Sequence, residues 1–238
     1  DVLFLCDQDD VWHAKKLATL MAAFELRADL LLLCTDACRI DEGGTALPRS
    51  LFEVLKVSRV ELRRIHAGQG FDVLLRRSLA TGATIALRRT LLEDALPFPA
   101  AWVHDEWLAI IAAALGGFDC VEQPLIDYRQ HAANQIGMPD RDLGTKWRDL
   151  VKPRAALIDM LLARDASLEQ RLAALGSRVP DPRRERVAEK LRHLRARSDL
   201  RGVPLRRFGT VLRETAGGRY RRYGTGWRSA LRDVLRHD

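Results

Sequence analysis

The sequence predicts an α/β fold followed by a basic, helical C-terminal region, and three observations carry that prediction. Val2-Leu3-Phe4-Leu5-Cys6 and Leu30-Leu31-Leu32-Leu33-Cys34 are unbroken apolar runs, the pattern of strands buried on both faces of a parallel sheet. The stretch between them has helical apolar spacing, as a strand–helix–strand unit requires. Charge then changes sign along the chain. Residues 1–144 carry 15 Lys/Arg against 21 Asp/Glu, whereas residues 145–238 carry 24 against 11, so the net charge of +7 belongs entirely to the second part. A domain change is predicted near Gly144, giving regions 1–144 and 145–238.

Taken in order, residues 2–6 read as the first strand and residues 14–28 as a helix with Leu17, Leu20, Met21 and Phe24 on one face. The second strand ends at Thr35-Asp36, and Asp41-Glu42-Gly43-Gly44 is a turn by composition. The pattern between Pro48 and Gly70 is mixed and fixes no element. Residues 84–87 read as a short strand and residues 89–96 as a short helix stopped by Pro97. Residues 107–115 form an apolar helix ended by Gly116-Gly117, and a short bent strand is predicted around Pro124. Beyond Gly144, residues 147–162, 168–175 and 183–200 have helical spacing with charged outer faces, punctuated by Pro180 and Pro182. The tail from Arg219 is basic with interleaved aromatics.

Apolar content of 47% and charged content of 30% fit a folded globular chain, not a disordered one. No apolar run approaches the ~18 residues needed to span a bilayer. Cys6, Cys34, Cys38 and Cys120 lack the paired spacing of a zinc site and read as reduced core thiols, which favours the cytoplasm.

The chemistry-bearing residues begin with Asp7, Asp9 and Asp10, delivered just past the first strand, where α/β sheets hold ligands. Such crowded carboxylates repel one another, and a hard divalent cation would relieve the repulsion. The plainer alternative is a solvated turn capping the next helix. If the strand continues, Asp7 and Asp9 point the same way and form the natural ligand pair. Asp105 stands at the start of an apolar helix and reads by composition alone as an N-cap.

Asp7-Gln8-Asp9-Asp10-Val11-Trp12 with Lys16-Leu17 resembles the DXD segment of family-2 glycosyltransferases of the GT-A fold, in the branch that adds rhamnose and related sugars to bacterial surface polysaccharides. Thr81-Gly82-Ala83-Thr84, His104-Asp105-Glu106-Trp107 and the stretch from Tyr128 to Gly137 resemble that family's acceptor-side, base-bearing and closing segments, in the same order. The resemblance spans roughly residues 1–140 and implies a partial GT-A core. Because this chain begins inside the DXD strand, it looks like a C-terminal fragment lacking the first strands, those that hold the donor's base and ribose.

The resemblance implies an inverting, Mg²⁺- or Mn²⁺-dependent transfer of a sugar from a nucleotide-diphosphate donor to a saccharide or polyprenyl-linked acceptor. Asp105 is then the catalytic base, with Glu106 its neighbouring competitor. Asp7 and Asp9 hold the metal, with His131 as a further ligand. Arg129 could pair with a diphosphate oxygen, and Asp36 is a donor-side contact. Thr81 and Gly82 sit beside the acceptor, and Trp107 offers a ring face to a sugar or belongs to the core. The basic helices suggest peripheral contact with an anionic membrane at its cytoplasmic face, or else an ordinary solvated arginine-rich surface. No motif for reading nucleic acid is present.

Two alternatives accompany this reading. One is a non-catalytic remnant attached to a basic interaction module. The other is a haloacid-dehalogenase-type phosphatase, which also begins with a strand and Asp-x-Asp but needs a later lysine that residues 71–145 do not supply. The fragment alone is predicted to have little or no transferase activity.

Overall fold

A computed structural model describes residues 1–130, 155–200 and 204–235. The chain divides into two units, Asp1–Gly137 and Met138–Asp238. The predicted boundary at 144/145 lies outside the described residues.

The first unit is mixed α/β. Its elements are β1 (Val2–Phe4), β2 (Val11–Trp12), α1 (Lys16–Leu26), β3 (Leu32–Ile40), α2 (Leu51–Val54), α3 (Arg59–Arg64), α4 (Gly70–Arg76), β4 (Ile85–Arg88), α5 (Leu91–Ala95), α6 (His104–Leu115) and β5 (Phe118–Arg129). The sheet order is β1-β4-β3-β5-β2. Only β3 and β5 pair in parallel; β1 and β3 are antiparallel to β4, and β2 is antiparallel to β5. The parallel sheet expected from the sequence is thus corrected to a mixed one. Nevertheless β1, β3 and β5 run in one direction, so their carboxyl ends share one side.

The first apolar run also behaves differently from expectation. Only Val2–Phe4 are in strand, at a sheet edge, with Leu3 36% exposed. Val2 and Phe4 pack on a core of Leu20, Phe24, Leu30, Leu33, Ala86 and Leu125, so the strand is covered on one face only. The chain then leaves β1 at one edge and re-enters as β2 at the other, so residues 5–10 cross the sheet end. Gln8 and Asp9 form a turn, and the strand continuation that would have aligned Asp7 with Asp9 does not occur.

In α1, Leu20 and Phe24 are buried as predicted, but Leu17 is exposed and Lys16 takes a buried position. The uncertain stretch 48–70 contains two short helices, each opened by a reciprocal capping box, Ser50 with Glu53 and Ser58 with Glu61. Arg77 then clasps Glu61 through Nε and Nη2, both at 2.9 Å, tying α3 to the end of α4. Helix α6 begins three residues before the expected start and ends where Gly116 adopts φ 90°, a left-handed conformation suited to glycine. Strand β5 is one twelve-residue strand, and its pairing with β3 slips on either side of the Asp36–Pro124 pair. Proline has no N–H to give the ladder, which explains the bend there. Of the cysteines, Cys34 and Cys120 are buried and Cys38 half-buried, but Cys6 is exposed, correcting its assignment to the core.

The second unit is helical: α7 (Ala155–Ala174), α8 (Asp181–Ser198), α9 (Pro204–Ala216), α10 (Arg219–Tyr223) and α11 (Trp227–Leu235). The segments expected at 147–162 and 168–175 are joined in α7 as far as they are described. Two buried ion pairs, Lys190–Asp165 at 2.9 Å and Arg197–Asp233 at 2.6 Å, and a buried hydrogen bond between His193 Nδ1 and Glu214 Oε2 at 2.8 Å cross its interior. Tyr220 Oη donates to Asp233 at 2.8 Å, so the last carboxylate is doubly held. Among the described residues no helix is long and apolar enough to cross a membrane.

Candidate functional site

The aspartate turn is held from β5. Arg129 donates its backbone N–H to Asp10 Oδ1 at 2.8 Å and its Nε to the Asp9 carbonyl at 2.9 Å. Its Nη1 reaches the Asp41 and Glu42 carbonyls at 3.1 and 3.0 Å. Arg129, expected on a diphosphate, therefore binds backbone oxygens and fixes the turn. Asp10 Oδ2 is buried with no hydrogen-bond partner among the described residues. Burial, reinforced by the charges of Asp9 and Asp7, pushes the Asp10 carboxyl up to about 6, against the opposing pull of Arg129 N–H and Lys16. Carboxylate oxygens are the ligands a hard divalent cation takes, but Asp7, Asp9 and Asp10 are not among the described residues whose ligand atoms converge within 4.8 Å.

Lys16 is wholly buried under this turn. Its Nζ donates to the Ala83 carbonyl at 2.8 Å and lies 4.2 Å from the centre of the Trp12 ring. Burial pulls its ammonium down to about 8, although Asp10 and Cys6 favour the charged form.

Asp105 is 4% exposed in the first turn of α6, two positions after the N-cap residue Val103, so it is not the cap. Its Oδ2 accepts the Gly82 N–H at 2.9 Å and its Oδ1 the Glu106 N–H at 2.7 Å. Gly82 opens a single 3₁₀ turn, Gly82–Thr84, in which the Thr81 carbonyl accepts from Thr84 N and Oγ1 at 2.9 and 2.7 Å. A Cβ on Gly82 would meet His104 Nε2 at 3.3 Å and Asp105 Oδ2 at 3.7 Å, so glycine lets this backbone close on the carboxylate. A cleft of about 230 Å³ opens here, lined by Thr81, Asp105 and Glu106 together with Leu55, Ser78 and Val103 among others.

Tyr128 links the two halves of the arrangement. It is buried beside Ala37, Leu51, Ala83 and Ile126. Burial first, then the charges of Asp10, Asp7, Asp9 and Asp105, push its hydroxyl up to about 12. All four carboxylates thus act on one phenol, although nearly a hundred residues separate Asp10 from Asp105 in sequence.

Other predicted residues take different places. Trp107 is 0% exposed and donates its indole N–H to the Ala95 carbonyl at 2.8 Å, so it is core and presents no ring face to a sugar. Asp36 lies within β3, and its Oδ1 accepts from the Ala37 and Phe52 N–H groups, both at 2.8 Å, anchoring the start of α2. His131 lies outside the described residues.

Sequence reading passed over Tyr128 and Lys16 as individual site residues, although both stand in the segments it singled out. It also passed over two groupings whose ligand atoms converge within 4.8 Å, His13/Cys38/Asp127 and His66/Asp119/Cys120. Their members are scattered along the chain, so no spacing signal announces them. In the first, His13 Nε2 and Asp127 Oδ1 are 2.7 Å apart, and in the second, His66 Nδ1 and Asp119 Oδ1 are also 2.7 Å apart.

No protein-family model matches the chain, and no curated protein matches it.

Proposed function

We propose that the first unit carries the metal- and acceptor-side machinery of an inverting glycosyltransferase of GT-A type. The observation that supports this most is Asp105, held by the Gly82 N–H and lining the cleft beside Thr81 and Glu106, while the charges of Asp7, Asp9, Asp10 and Asp105 all bear on the Tyr128 hydroxyl. In this reading the cleft takes the acceptor, a saccharide or polyprenyl-linked sugar, and the aspartate turn faces the diphosphate of a nucleotide-sugar donor, for which a rhamnosyl donor is one candidate.

Asp7 and Asp9 would hold Mg²⁺ or Mn²⁺, and the unpartnered Asp10 Oδ2 is a further carboxylate oxygen of the same turn. When bound, the cation would supply Lewis-acid neutralisation of the leaving diphosphate. Asp105 takes the proton of the acceptor hydroxyl. The acceptor oxygen bonds to the anomeric carbon from the face opposite the donor link, and the bond to the diphosphate breaks with its electron pair. The Gly82 N–H holds the Asp105 carboxylate in one orientation, and Arg129 holds the aspartate turn through backbone carbonyls. Arg129 Nε and Nη1 are engaged by the Asp9, Asp41 and Glu42 carbonyls, so in this reading those nitrogens position the turn rather than meet the diphosphate.

The phosphatase reading gains nothing from the fold. It expects a later lysine, which residues 71–145 do not supply.

Titration of the chain with Mn²⁺, followed by the loss of free-ion EPR signal, tests the metal half of the proposal. Substituting Asp7 and Asp9 by Asn should weaken binding by at least about tenfold, the scale on which ligand-shell losses act. Unchanged affinity would overturn it. For the acceptor half, Asp105→Asn should lower transfer by about 10²–10⁴-fold. Turnover at the unsubstituted rate would remove Asp105 from the role of base.

A further inference from the structure

Helices α9 and α11 pack on one another through an inner layer that includes Val211, Ala230 and Val234, with Tyr220 between them. Their outer faces are also apolar. In α9, Phe208 and Leu212, one turn apart, are 58% and 59% exposed. In α11, Trp227, Leu231 and Leu235 recur every four residues at 68%, 41% and 50% exposure. Two adjacent short helices therefore each turn an apolar stripe to solvent, and single scattered hydrophobic residues do not make that pattern.

The charges around these stripes are one-sided. Residues 204–235 contain eight arginines and two acids, Glu214 and Asp233. Both acids are buried, Glu214 against His193 and Arg219, and Asp233 against Arg197 and Tyr220. Every charge this segment presents to solvent is therefore positive. Arg228 lies over the Trp227 ring at 5.6 Å, so cation and aromatic surface are offered together. Two copies of such a face would bring like charges together, which disfavours self-association. An aromatic and aliphatic stripe framed by arginines, on helices too short to span, matches the chemistry of a surface that lies in the headgroup region of an anionic bilayer.

We propose that the paired outer faces of α9 and α11 seat the protein on an anionic lipid bilayer, with Phe208, Leu212, Trp227, Leu231 and Leu235 entering the boundary between headgroups and acyl chains. The surrounding arginines meet the lipid phosphates. This docking is independent of the transferase reading, because every residue in it belongs to the second unit.

The test is co-sedimentation of the whole 238-residue chain with vesicles of phosphatidylcholine alone and with about 30 mol% phosphatidylglycerol, near physiological salt. The anionic vesicles should bind at least about tenfold more tightly. The double variant Phe208→Ser/Trp227→Ser should lose at least about tenfold and the blue shift of tryptophan emission on binding, with an unchanged circular dichroism spectrum because both side chains are exposed. Substituting Arg213, Arg221 and Arg228 by Gln should weaken binding by about fivefold per residue. Absence of binding to either vesicle would overturn the proposal. So would full retention of binding in the Phe208/Trp227 variant, which would mean charge attraction without insertion. A dimer in light scattering that the same variant dissociates, without vesicle binding, would reassign the face to contact between copies.

Discussion

Replacing Lys16 by methionine keeps the length of the buried stem and removes its charge and its donor. At neutral pH the two consequences oppose each other. Without the ammonium, the Ala83 carbonyl loses its 2.8 Å bond and Trp12 loses its cation, together worth about 2–4 kcal/mol. Against that, the burial that holds the ammonium down to about 8 from an ordinary 10.5 is relieved, at 1.36 kcal/mol per unit about 3 kcal/mol. The variant should therefore differ from the parent by only about 1 kcal/mol at pH 7. Raising the pH separates them. Between about 8 and 10.5 the unfolded chain keeps the Lys16 proton and the folded chain has released it, so the parent's stability rises with pH through that window. From pH 7.5 to 9.5 the rise amounts to about 2 kcal/mol, and methionine cannot show it. Urea unfolding of both proteins at a series of pH values, followed by tryptophan fluorescence, gives the difference directly. A parent-minus-variant difference that stays flat over that interval would refute the claim that a strained ammonium lies under the aspartate turn.

Further outcomes follow from other parts of the molecule. Glu61→Gln should cost about 2 kcal/mol at neutral pH, because Arg77 and the Ser58 groups outweigh burial and hold the carboxyl down to about 2; the gap to the parent should persist above pH 4.5 and close as the pH falls toward 2 in acid-unfolding curves. Gly117→Ala should destabilise by about 3 kcal/mol, since its Cβ would fall 2.7 Å from the Asp29 carbonyl and 2.5 Å from Leu31 Cγ, whereas Gly68→Ala, at φ 74° in open space, should cost about 1 kcal/mol in the same unfolding assay. His193 resists protonation because it is buried near Arg197, although Glu214 and Asp233 pull the other way and Tyr220 packs edge-on against it. The second unit should therefore lose stability as pH drops below 6.5, by at most about 1.4 kcal/mol per pH unit, and His193→Gln should flatten that slope in thermal scans.

The helix α6, the strand pair around Leu33 and Ala86, and the turn at Asp41 were readable from local pattern, because each is decided by neighbours in sequence. The edge position of β1 was not, since a run of apolar residues does not say how many faces a sheet will cover. Two helices in the 48–70 stretch carried a legible signal, Ser50 with Glu53 and Ser58 with Glu61, obscured by the shortness of the helices that follow. In the tail, Gly217-Gly218 and Gly224–Gly226 cut the helices into lengths too short for periodicity to register. For the site, the aspartates and Asp105 were marked by composition and resemblance. Trp107 could not be told from a sugar platform without knowing that Ala95 takes its indole N–H. The role of Tyr128 depends on charges brought from both ends of the unit, and no local pattern carries that information.

The path of residues 5–10 from one edge strand to the other has a mechanical consequence. Five strands at about 4.8 Å spacing would set the edges of a flat sheet about 19 Å apart, most of the roughly 23–25 Å that seven fully extended steps from Phe4 to Val11 could span. Yet the segment contains a turn, and the rings of Phe4 and Trp12 stand only 6.0 Å apart. The sheet must therefore be rolled toward a half-barrel, with the aspartates on the hoop that holds its rims together. Asp7, Asp9 and Asp10 thus stand on the one segment that passes from rim to rim, so the sheet's curvature and the placing of that turn are set together.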